Sequence, residues 1–434
     1  MGNKGSTSTY PQEEGIEPFL PNGAVDPHLI VTKSHSIPYK TIKECRLCGS
    51  RNLKPWFKIK EMALVSSFVR QRDGLEGVLP LTMVWCSKCT LSQCLEVVDP
   101  ETLSKSVDDY RTSEYPKLVD YFSKQAANLV LNVVSPEEIT ILEIGCNDGT
   151  YLKFLSDKGY QTIGVDPSAG AIEDAKLRSP TTTFYNQPFN DSLPVDDHSV
   201  HYITSSSVFD HVEDIQSLFR TAKRVLADKG LLNIEVYNTH RLVKTYEFDA
   251  LRHERMVYWT PQAVLYAAKK FGFTLESVQS LYMKRDTFRY ILRASSTDTS
   301  SRDIHRVINT DYSSLSSKGI YSSFRYKIDE IILRIRTDMH RRGFESGNYI
   351  AYGTPKRSVT LCAVTGIYPR KIVIPTKGQH TGLLMPWYNG EIVDARESMS
   401  YHKCLILDWR YIDNIRSTLS SIQWQGYDIM ALEV

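Results

Sequence analysis

The 434-residue sequence lacks a strong excess of charge, a hydrophobic run of membrane-spanning length, and an apolar stretch near its N-terminus. The 52 Lys and Arg residues nearly balance the 50 Asp and Glu residues, so no general electrostatic attraction to nucleic acid is expected. A transmembrane helix needs about 20 consecutive apolar residues, and none is predicted. Without a secretory leader, we expect a cytoplasmic protein with reduced cysteines.

The first 40 residues are rich in Gly, Pro, Ser and Thr and show no sustained periodicity, which predicts a mobile arm over residues 1–40. The arm begins Met-Gly-Asn-Lys-Gly-Ser, a match to the N-myristoylation pattern that would place an acyl chain on Gly2. One acyl chain binds membranes only weakly and reversibly, so lipid-mediated membrane contact would be weak. The alternative is a flexible N-terminus that happens to start with Met-Gly.

Cysteine is well represented, with eight residues, and four of them form two Cys-x-x-C pairs. The pairs are Cys45 with Cys48 and Cys86 with Cys89. Each tight turn directs two thiolates at one point, so two turns supply the four ligands of a tetrahedral zinc ion. Four sulfur ligands leave no open position for water, which predicts a structural metal. The alternative is buried or free cysteines, as we expect for Cys94, Cys146, Cys362 and Cys404.

The middle of the chain alternates strand-like and helical patterns, which is typical of a parallel α/β sheet. The predicted strands are Thr140–Ile144, Thr162–Val165, Val200–Ser205 and Leu231–Val236, and the predicted helices are Tyr151–Lys158, Ala169–Leu177 and Ile215–Leu226. A Ser/Thr-rich linker and a helix over Tyr321–His340 follow, and that helix has isoleucines on one face. Further strands are predicted at 349–353, 371–374 and 403–407.

A glycine-rich run, Glu143-Ile144-Gly145-Cys146-Asn147-Asp148-Gly149, joins the first of these strands to a helix. Glycine permits tight backbone turns and lets a ligand approach closely, and the helix start presents free N–H groups. The run is not G-x-G-x-x-G and has no Walker lysine, which disfavours dinucleotides and nucleoside triphosphates. Asp166 ends the next strand, where a carboxylate can accept hydrogen bonds from a ribose diol.

The glycine-rich run resembles the first motif of class I S-adenosylmethionine-dependent methyltransferases. S-adenosylmethionine is therefore the predicted cofactor. The candidate cofactor-binding residues are Glu143, Gly145, Asn147, Asp148, Gly149, Asp166 and Phe189. Two alternatives stay open: the glycines form only a turn in a doubly wound domain, and Phe189 packs in the core and not on an adenine ring.

The order of these parts resembles the zinc-containing nucleotide-sugar C-methyltransferases, and the similarity runs across roughly residues 41–415. Cys45-Arg46-Leu47-Cys48-Gly49-Ser50 and Cys86-Ser87-Lys88-Cys89-Thr90-Leu91-Ser92-Gln93 look like that family's zinc knuckles, and Tyr352-Gly353-Thr354-Pro355 resembles the opening of its last domain. The resemblance implies an α/β fold with an N-terminal zinc-binding module, a seven-stranded class I methyltransferase Rossmann-like domain and a second, C-terminal Rossmann-like domain. We assign residues 41–105 to the zinc module, 106–293 to the methyltransferase domain, 294–345 to a linker and helix, and 346–434 to the C-terminal domain.

The family's active-site run, Tyr-His-Glu-His, is replaced here by Arg252-His253-Glu254-Arg255. The resemblance places the catalytic base at the last position, where an arginine cannot accept a proton. The candidate catalytic residues are therefore His253, Glu254, Tyr258, Tyr110 and His211. A solvated salt-bridge cluster is the alternative for His253 and Glu254, and a core or capping role is the alternative for His211.

Two further departures concern the same region: Lys284-Arg285-Asp286-Thr287 replaces a His-Gly-Gly-Ser turn, and Arg357-Ser358 replaces a Lys-Gly step. Two hypotheses follow from these changes. The first is a methyltransferase for a small-molecule acceptor, such as a nucleotide-linked sugar, with an altered acceptor site. The second is a catalytically degenerate relative that serves as a binding or structural subunit.

Overall fold

A computed structural model describes most of the chain. It covers residues 35–70, 77–99, 102–103, 110–129, 135–281, 287–295, 302–344, 348–374, 380–409, 412–424, 426 and 428–431. Gly2 and most of the predicted arm lie outside these residues. No helix within the described ranges is long and apolar enough to cross a membrane.

The N-terminal module is built from short and medium strands that pair antiparallel, except that β1 runs parallel to β4. They are β1 (His35–Ser36), β2 (Tyr39–Thr41), β3 (Leu53–Met62), β4 (Gly77–Cys86), β5 (Ser92–Cys94) and β6 (Glu96–Val98). In the main ladder β4 pairs with both β3 and β5, so that Leu53 lies opposite Cys86 and Met83 opposite Cys94. This pairing brings the two cysteine turns to the same end of the module.

The second module is a seven-stranded sheet flanked by helices, as the family resemblance implies. Its elements, in chain order, are α1 (Pro116–Asn128), β7 (Thr140–Ile144), α2 (Thr150–Ser156), β8 (Gln161–Val165), α3 (Ala169–Arg178), β9 (Thr183–Tyr185), β10 (Val200–Ser206), α4 (Ile215–Val225), β11 (Leu226–Tyr237), α5 (Thr239–Lys244), β12 (Val257–Tyr258), α6 (Pro261–Phe271), β13 (Phe273–Ser280) and β14 (Thr287–Ala294). The strand order in the sheet is β13-β14-β11-β10-β7-β8-β9, with β14 antiparallel to both neighbours. β12 instead pairs with β5 of the first module.

The predicted strands and helices of this sheet are confirmed, with small differences at their ends. The prediction for β7 is correct at both ends, and those for β8 and β10 differ by one residue. β11 begins five residues before the predicted Leu231, because a bulge next to the β10 pairing absorbs the Asp228–Gly230 segment. Lys229 in this bulge has a positive φ of 60°.

The C-terminal module is a parallel five-stranded sheet with the order β17-β16-β15-β18-β19. The elements from the linker onward are α7 (Arg302–Asp311), α8 (Lys318–Arg341), β15 (Tyr349–Tyr352), α9 (Pro355–Thr365), β16 (Lys371–Ile374), β17 (Glu391–Asp394), β18 (Lys403–Ile406), α10 (Ile412–Ser421) and β19 (Asp428–Ala431). A helix follows β15 directly, which is the strand–turn–helix order of a Rossmann-like domain.

One hydrophobic core is shared by all three modules. The apolar face predicted for α8 is confirmed, because Ile328, Ile331, Ile332 and Ile335 are all buried. These side chains belong to the same cluster as Phe57 of β3 and Ala351 of β15. The zinc module and the C-terminal module are therefore packed into the methyltransferase domain, and residues from all three can line one site.

Candidate functional site

The four paired cysteines come together as the sequence predicts. Their Sγ atoms all lie within 4.8 Å of one another, with 3.5 Å between Cys45 and Cys89 and between Cys48 and Cys86. Tetrahedral zinc with Zn–S bonds of about 2.3 Å requires sulfur–sulfur distances of about 3.8 Å. The donor set and its spacing therefore fit a structural zinc ion.

Gln93 also belongs to this cluster, although its residue type gave no signal as a ligand. Its Nε2 donates a hydrogen bond to the Cys45 Sγ at 3.2 Å, and its Oε1 accepts one from the Arg46 backbone N–H at 3.2 Å. A partner of this kind orients a metal ligand and stabilises the charge on its sulfur.

The zinc module also holds the segment that connects β11 to α6 of the methyltransferase domain. β5 pairs with β12, and the Cys94 Sγ lies 3.5 Å from the carbonyl oxygen of Arg252 and 3.2 Å from that of Arg255. Burial raises the pKa of Cys94 to about 12, so the thiol keeps its proton and can donate to these carbonyls. Cys94, which the sequence leaves without a partner, thus fixes the Arg252–Arg255 run.

The glycine turn, residues 145–149, connects β7 to α2. Gly145, Asn147 and Gly149 all have positive φ, with values of 72°, 49° and 70°. A Cβ atom on Gly145 would lie 2.3 Å from the Cγ2 of Val208, so no other residue fits there without movement. Glycine at this position thus lets the turn pack against the chain that leaves β10.

Asn147 and Asp148 attach the segment Tyr110–Ser113 to the glycine turn. Asn147 accepts a hydrogen bond from the Thr112 N–H at 2.9 Å and donates one to the Tyr110 carbonyl at 3.0 Å. Asp148 accepts one from the Ser113 N–H at 3.0 Å. Burial favours a higher pKa for Asp148, but hydrogen bonds from Ser113 and Thr150 outweigh it and lower the pKa. Sequence reasoning named Tyr110 of this segment only as a catalytic candidate, and the contacts of Thr112 and Ser113 with the turn gave no signal.

Asp166 lies beside the glycine turn at the end of β8. Its two carboxylate oxygens accept hydrogen bonds from the N–H groups of Asn147 at 2.9 Å and Ser168 at 2.8 Å. Burial raises the pKa of Asp166, and these two bonds oppose the rise. Because each carboxylate oxygen can accept two hydrogen bonds, both retain capacity for a ribose diol. The residues present therefore fit S-adenosylmethionine.

The two remaining candidate cofactor residues are buried. Glu143 lies within β7 and is 4% exposed. Phe189 packs in the hydrophobic cluster beneath the sheet, as in the core-packing alternative.

A cavity of about 230 Å³ lies where β10 and β11 end, and we call it the arginine cavity. Its lining residues are Ser207, Asp210, Tyr237, Ala250, Arg252, Arg255, Thr287 and Arg357. Val208, which packs against Gly145, lies between the first two of these residues in the chain, so the cavity adjoins the glycine turn. Ser207 has a φ of 61°, a strained value that is common at functional sites.

All three departures from the family pattern contribute to this lining. Arg252 and Arg255 come from the altered active-site run, Thr287 ends the altered turn, and Arg357 comes from the altered step in α9. Lys284, Arg285 and Asp286 lie outside the described residues. The substitutions are therefore gathered around one space.

The five candidate catalytic side chains are not among the described residues that line the cavity. His253 is 3% exposed and its Nε2 donates to the Pro80 carbonyl at 3.0 Å, while Glu254 accepts from the Ser66 N–H at 3.1 Å. The Tyr258 hydroxyl accepts from the Arg252 N–H at 3.0 Å and donates to the Ala250 carbonyl at 3.3 Å. These three residues hold the loop, and burial excludes a solvated cluster for His253.

The side chains of His211 and Tyr110 also have partners away from the described cavity lining. The Nδ1 of His211 is hydrogen-bonded to the Glu254 carbonyl, and burial, aided by the two nearby arginines, lowers the His211 pKa to about 3. Tyr110 stacks on Tyr115 beside the glycine turn, with 5.1 Å between ring centroids, and burial raises its pKa. The contact with the Glu254 carbonyl favours the structural alternative for His211, and neither side chain is among the described lining residues.

Asp210 is the one carboxylate among the described lining residues. It is 1% exposed, its Oδ2 accepts from the Tyr237 N–H at 2.9 Å, and its Oδ1 has no hydrogen-bond partner among described residues. Burial raises its pKa to about 6, although Arg255, 3.7 Å away, opposes the rise. The position after a predicted strand led sequence reasoning to the neighbouring His211, but the lining side chain is that of Asp210.

The arginines of the cavity have different surroundings. The Arg255 guanidinium lies 4.1 Å from the Tyr237 ring centroid, and Arg357 lies 3.6 Å from Glu247 and 3.5 Å from Asp249. The Nε of Arg252 is buried and has no hydrogen-bond partner in the described part of the chain. Burial and the nearby Arg255 lower the Arg252 pKa to about 10, so it still carries its charge near neutral pH.

Comparison with known proteins identifies all three modules. Family models match residues 45–103 ("Putative zinc binding domain"), 108–278 ("Methyltransferase domain") and 287–432 ("C-methyltransferase C-terminal domain"). The C-methyltransferase NovU of Streptomyces niveus is 21% identical over 88% of this chain and 94% of that protein.

Two further matches cover smaller parts of the chain. The ubiquinone biosynthesis O-methyltransferase of Bartonella tribocorum is 24% identical over 31% of this chain, which spans about half (55%) of that protein. Among solved structures, an S-adenosylmethionine-dependent methyltransferase from Mesorhizobium loti is 17% identical with a TM-score of 0.34, covering 40% of this chain and 99% of that one.

Proposed function

Because the chain belongs to the S-adenosylmethionine-dependent C-methyltransferases that combine these three domains, we propose that it methylates a small molecule held in the arginine cavity. The observation that carries the proposal is the contact between the glycine turn and the cavity wall. Gly145 packs against Val208, which follows the cavity residue Ser207 directly. A methyl donor at the turn and an acceptor in the cavity would therefore be neighbours.

In this proposal the chain binds and positions both molecules. The Asp166 carboxylate and the backbone of the glycine turn hold S-adenosylmethionine, which supplies a methyl group from its sulfonium. The zinc module fixes the loop that presents Arg252 and Arg255. Because methyl transfer is a direct displacement, much of the acceleration comes from holding the two reactants in line.

We propose a nucleotide-linked sugar as the acceptor, following the family resemblance. The C-terminal Rossmann-like module supports this choice, because α9 begins beside the cavity and brings Arg357 to its wall. A helix N-terminus and an arginine together suit a phosphate group. The acceptor site nevertheless differs from the family pattern, because Arg255 stands where the base is expected.

That same difference favours a second candidate, a catalytically degenerate binding subunit.

Calorimetry with S-adenosylhomocysteine tests the cofactor step: we expect binding to the native chain and none to Gly145→Arg, whose side chain would collide with Val208. Gly319→Arg is the matched control, because a Cβ there would meet only the Ser317 Oγ at 3.8 Å. No heat at high micromolar ligand would refute the proposal. Incubation with deuterium-labelled donor and nucleotide-sugar pools, read by mass spectrometry, then separates turnover from binding alone.

A further inference from the structure

The charges around the arginine cavity do not cancel. Arg357 is matched by Glu247 and Asp249, at 3.6 and 3.5 Å, and Arg241 also pairs with Glu247 at 2.9 Å. These two arginines and two carboxylates are balanced as a group.

Arg255 and Asp210 form a second balanced pair, 3.7 Å apart. Arg252 is the remaining lining cation, and no described residue forms an ion pair with it. Among the described lining residues, one positive charge thus has no ion-pair partner.

The backbone of Arg252 is held in place by two contacts. Its backbone N–H donates to the Tyr258 hydroxyl at 3.0 Å, and its carbonyl lies 3.5 Å from the Cys94 Sγ. Glu254 attracts the Arg252 guanidinium electrostatically but forms no ion pair with it. The Oε1 of Glu254 instead accepts a hydrogen bond from the Ser66 N–H. A buried guanidinium nitrogen without a partner is costly, and a ligand that supplies an acceptor removes this cost.

We propose, resting on the proposed function, that the acceptor is an enolisable keto acid whose carboxylate is bound by Arg252 and whose carbon-bound proton is taken by Asp210. One unmatched positive charge calls for a monoanion. A carboxylate has that charge and fits the planar guanidinium fork, whereas a phosphate carries about 1.5 to 2 negative charges and would lie near Asp210. The acid is either free or the sugar-acid part of a nucleotide-linked sugar.

The chemistry balances with the groups present. The C–H bond breaks, its electron pair forms the enolate, and the proton moves to the partner-free Oδ1 of Asp210. Arg255 donates hydrogen bonds to the enolate oxygen, a role that suits a group unable to accept a proton. The enolate carbon then bonds to the methyl group as the S–CH₃ bond breaks and sulfur keeps the electron pair. Asp210 afterwards releases its proton to water.

Calorimetry on the full chain saturated with S-adenosylhomocysteine tests the carboxylate site. Two matched pairs of probes differ in the carboxylate: UDP-glucuronate against UDP-glucose, and 2-oxobutyrate against 2-butanone. In one of the two pairs we expect the acid to bind at least about tenfold tighter than its uncharged counterpart. A preference in the UDP-sugar pair indicates a nucleotide-linked acid, and a preference in the 2-oxobutyrate pair indicates a free acid. The preference should vanish in Arg252→Gln and survive in part in Arg252→Lys.

Arg416→Gln, on the exposed face of α10, is the control for loss of one positive charge and should retain the full preference. Equal binding within both pairs, absence of binding, or a preference that persists in Arg252→Gln would overturn the proposal. Inorganic phosphate that binds more tightly than either acid and loses this affinity in Arg252→Gln would overturn it too, because Arg252 would then serve a phosphate. S-adenosylhomocysteine binding, measured separately, shows whether the proposed function itself has failed.

Discussion

The glycine turn and the arginine cavity lie side by side at the carboxyl edge of one sheet, yet their polar groups differ in how fully they are hydrogen-bonded to the protein. In the turn, Asn147, Asp148 and Asp166 all have hydrogen bonds to the protein. In the cavity, the Asp210 Oδ1 and the Arg252 Nε have no such partners within the described ranges. A satisfied turn is preformed for one cofactor, whereas the unsatisfied cavity wall leaves hydrogen bonds for a ligand to make.

The two regions also differ in how they are assembled. The turn is one continuous stretch with Asp166 added from the next strand. The cavity instead combines the ends of β10 and β11, the loop held by the zinc module, and Arg357 from the C-terminal module. Disturbing a distant module should therefore affect the cavity more than the turn.

Removal of the metal should have the largest effect and is the most direct way to separate the regions. Cys45→Ser removes one of four ligands, so we expect zinc content to fall from near one per chain to near zero. Because metal binding in such modules is coupled to folding, the free energy of unfolding should fall by more than about 3 kcal/mol. Elemental analysis and thermal unfolding measure these changes.

Cys404→Ser is the matched control, since Cys404 is equally buried but lies in β18, in the C-terminal module. It should keep its zinc. A folded Cys45→Ser chain with full zinc content would contradict the assignment of the site.

Asp210→Asn should slow catalysis strongly while leaving the glycine turn intact. Loss of a positioned general base costs about 10²- to 10⁴-fold in rate, so kcat/KM should fall by that amount. S-adenosylhomocysteine affinity should stay within about twofold of the native value, because Asp210 does not contact the turn's hydrogen-bonded groups. A variant with undiminished kcat/KM would exclude Asp210 as the base.

The pH dependence of the native chain follows from the same carboxylate. Burial raises the Asp210 pKa to about 6, and only the ionised form accepts a proton. We therefore expect kcat/KM to rise with pH up to about 6 and to level off above it, with this limb missing from the residual activity of Asp210→Asn. The raised pKa also means that this group's contribution to stability is present at low pH and lost as pH rises through 6. A profile that is flat between pH 5 and 7 would contradict the assignment.

The parts of the site that could be predicted from the sequence are those formed by one continuous stretch of chain. Cys45, Cys48, Cys86 and Cys89 are two short local motifs, and the glycine turn is another, so spacing alone located them. Ser207, Tyr237 and Thr287 are far apart in the chain and meet only through tertiary packing, which no local pattern encodes. Arg252 and Arg255 both line the cavity, whereas the five catalytic candidates named from the sequence do not appear among its described lining residues.

The choice between His211 and Asp210 shows why residue type misleads in such a site. In water, histidine titrates near neutrality and aspartate does not, so His211 was the natural candidate. Burial disfavours the charged form of each and moves their pKa values in opposite directions, to about 3 for His211 and about 6 for Asp210. The carboxylate then becomes the better proton acceptor near neutral pH.

A small substitution in the glycine turn tests whether this turn binds the cofactor. Gly145→Ala adds a Cβ 2.3 Å from the Val208 Cγ2 at a φ of 72°, so the turn must shift. Strain of this kind costs about 1–3 kcal/mol, which predicts roughly 5- to 160-fold weaker binding of S-adenosylhomocysteine by calorimetry. Gly319→Ala is the control and should bind normally. Unchanged affinity in Gly145→Ala would place the cofactor elsewhere.

The smallest expected effect concerns the loop that carries Arg252. Tyr258→Phe removes one hydroxyl, which accepts from the Arg252 N–H and donates to the Ala250 carbonyl. A hydrogen bond of this kind is worth about 1 kcal/mol, so binding of the carboxylate probes should weaken roughly fivefold while S-adenosylhomocysteine binding is unchanged. Tyr326→Phe, at a residue 74% exposed on α8, should change neither affinity. If Tyr258→Phe instead weakened binding of S-adenosylhomocysteine and left binding of the carboxylate probes unchanged, the loop would support the glycine turn. The two regions would then not be separable.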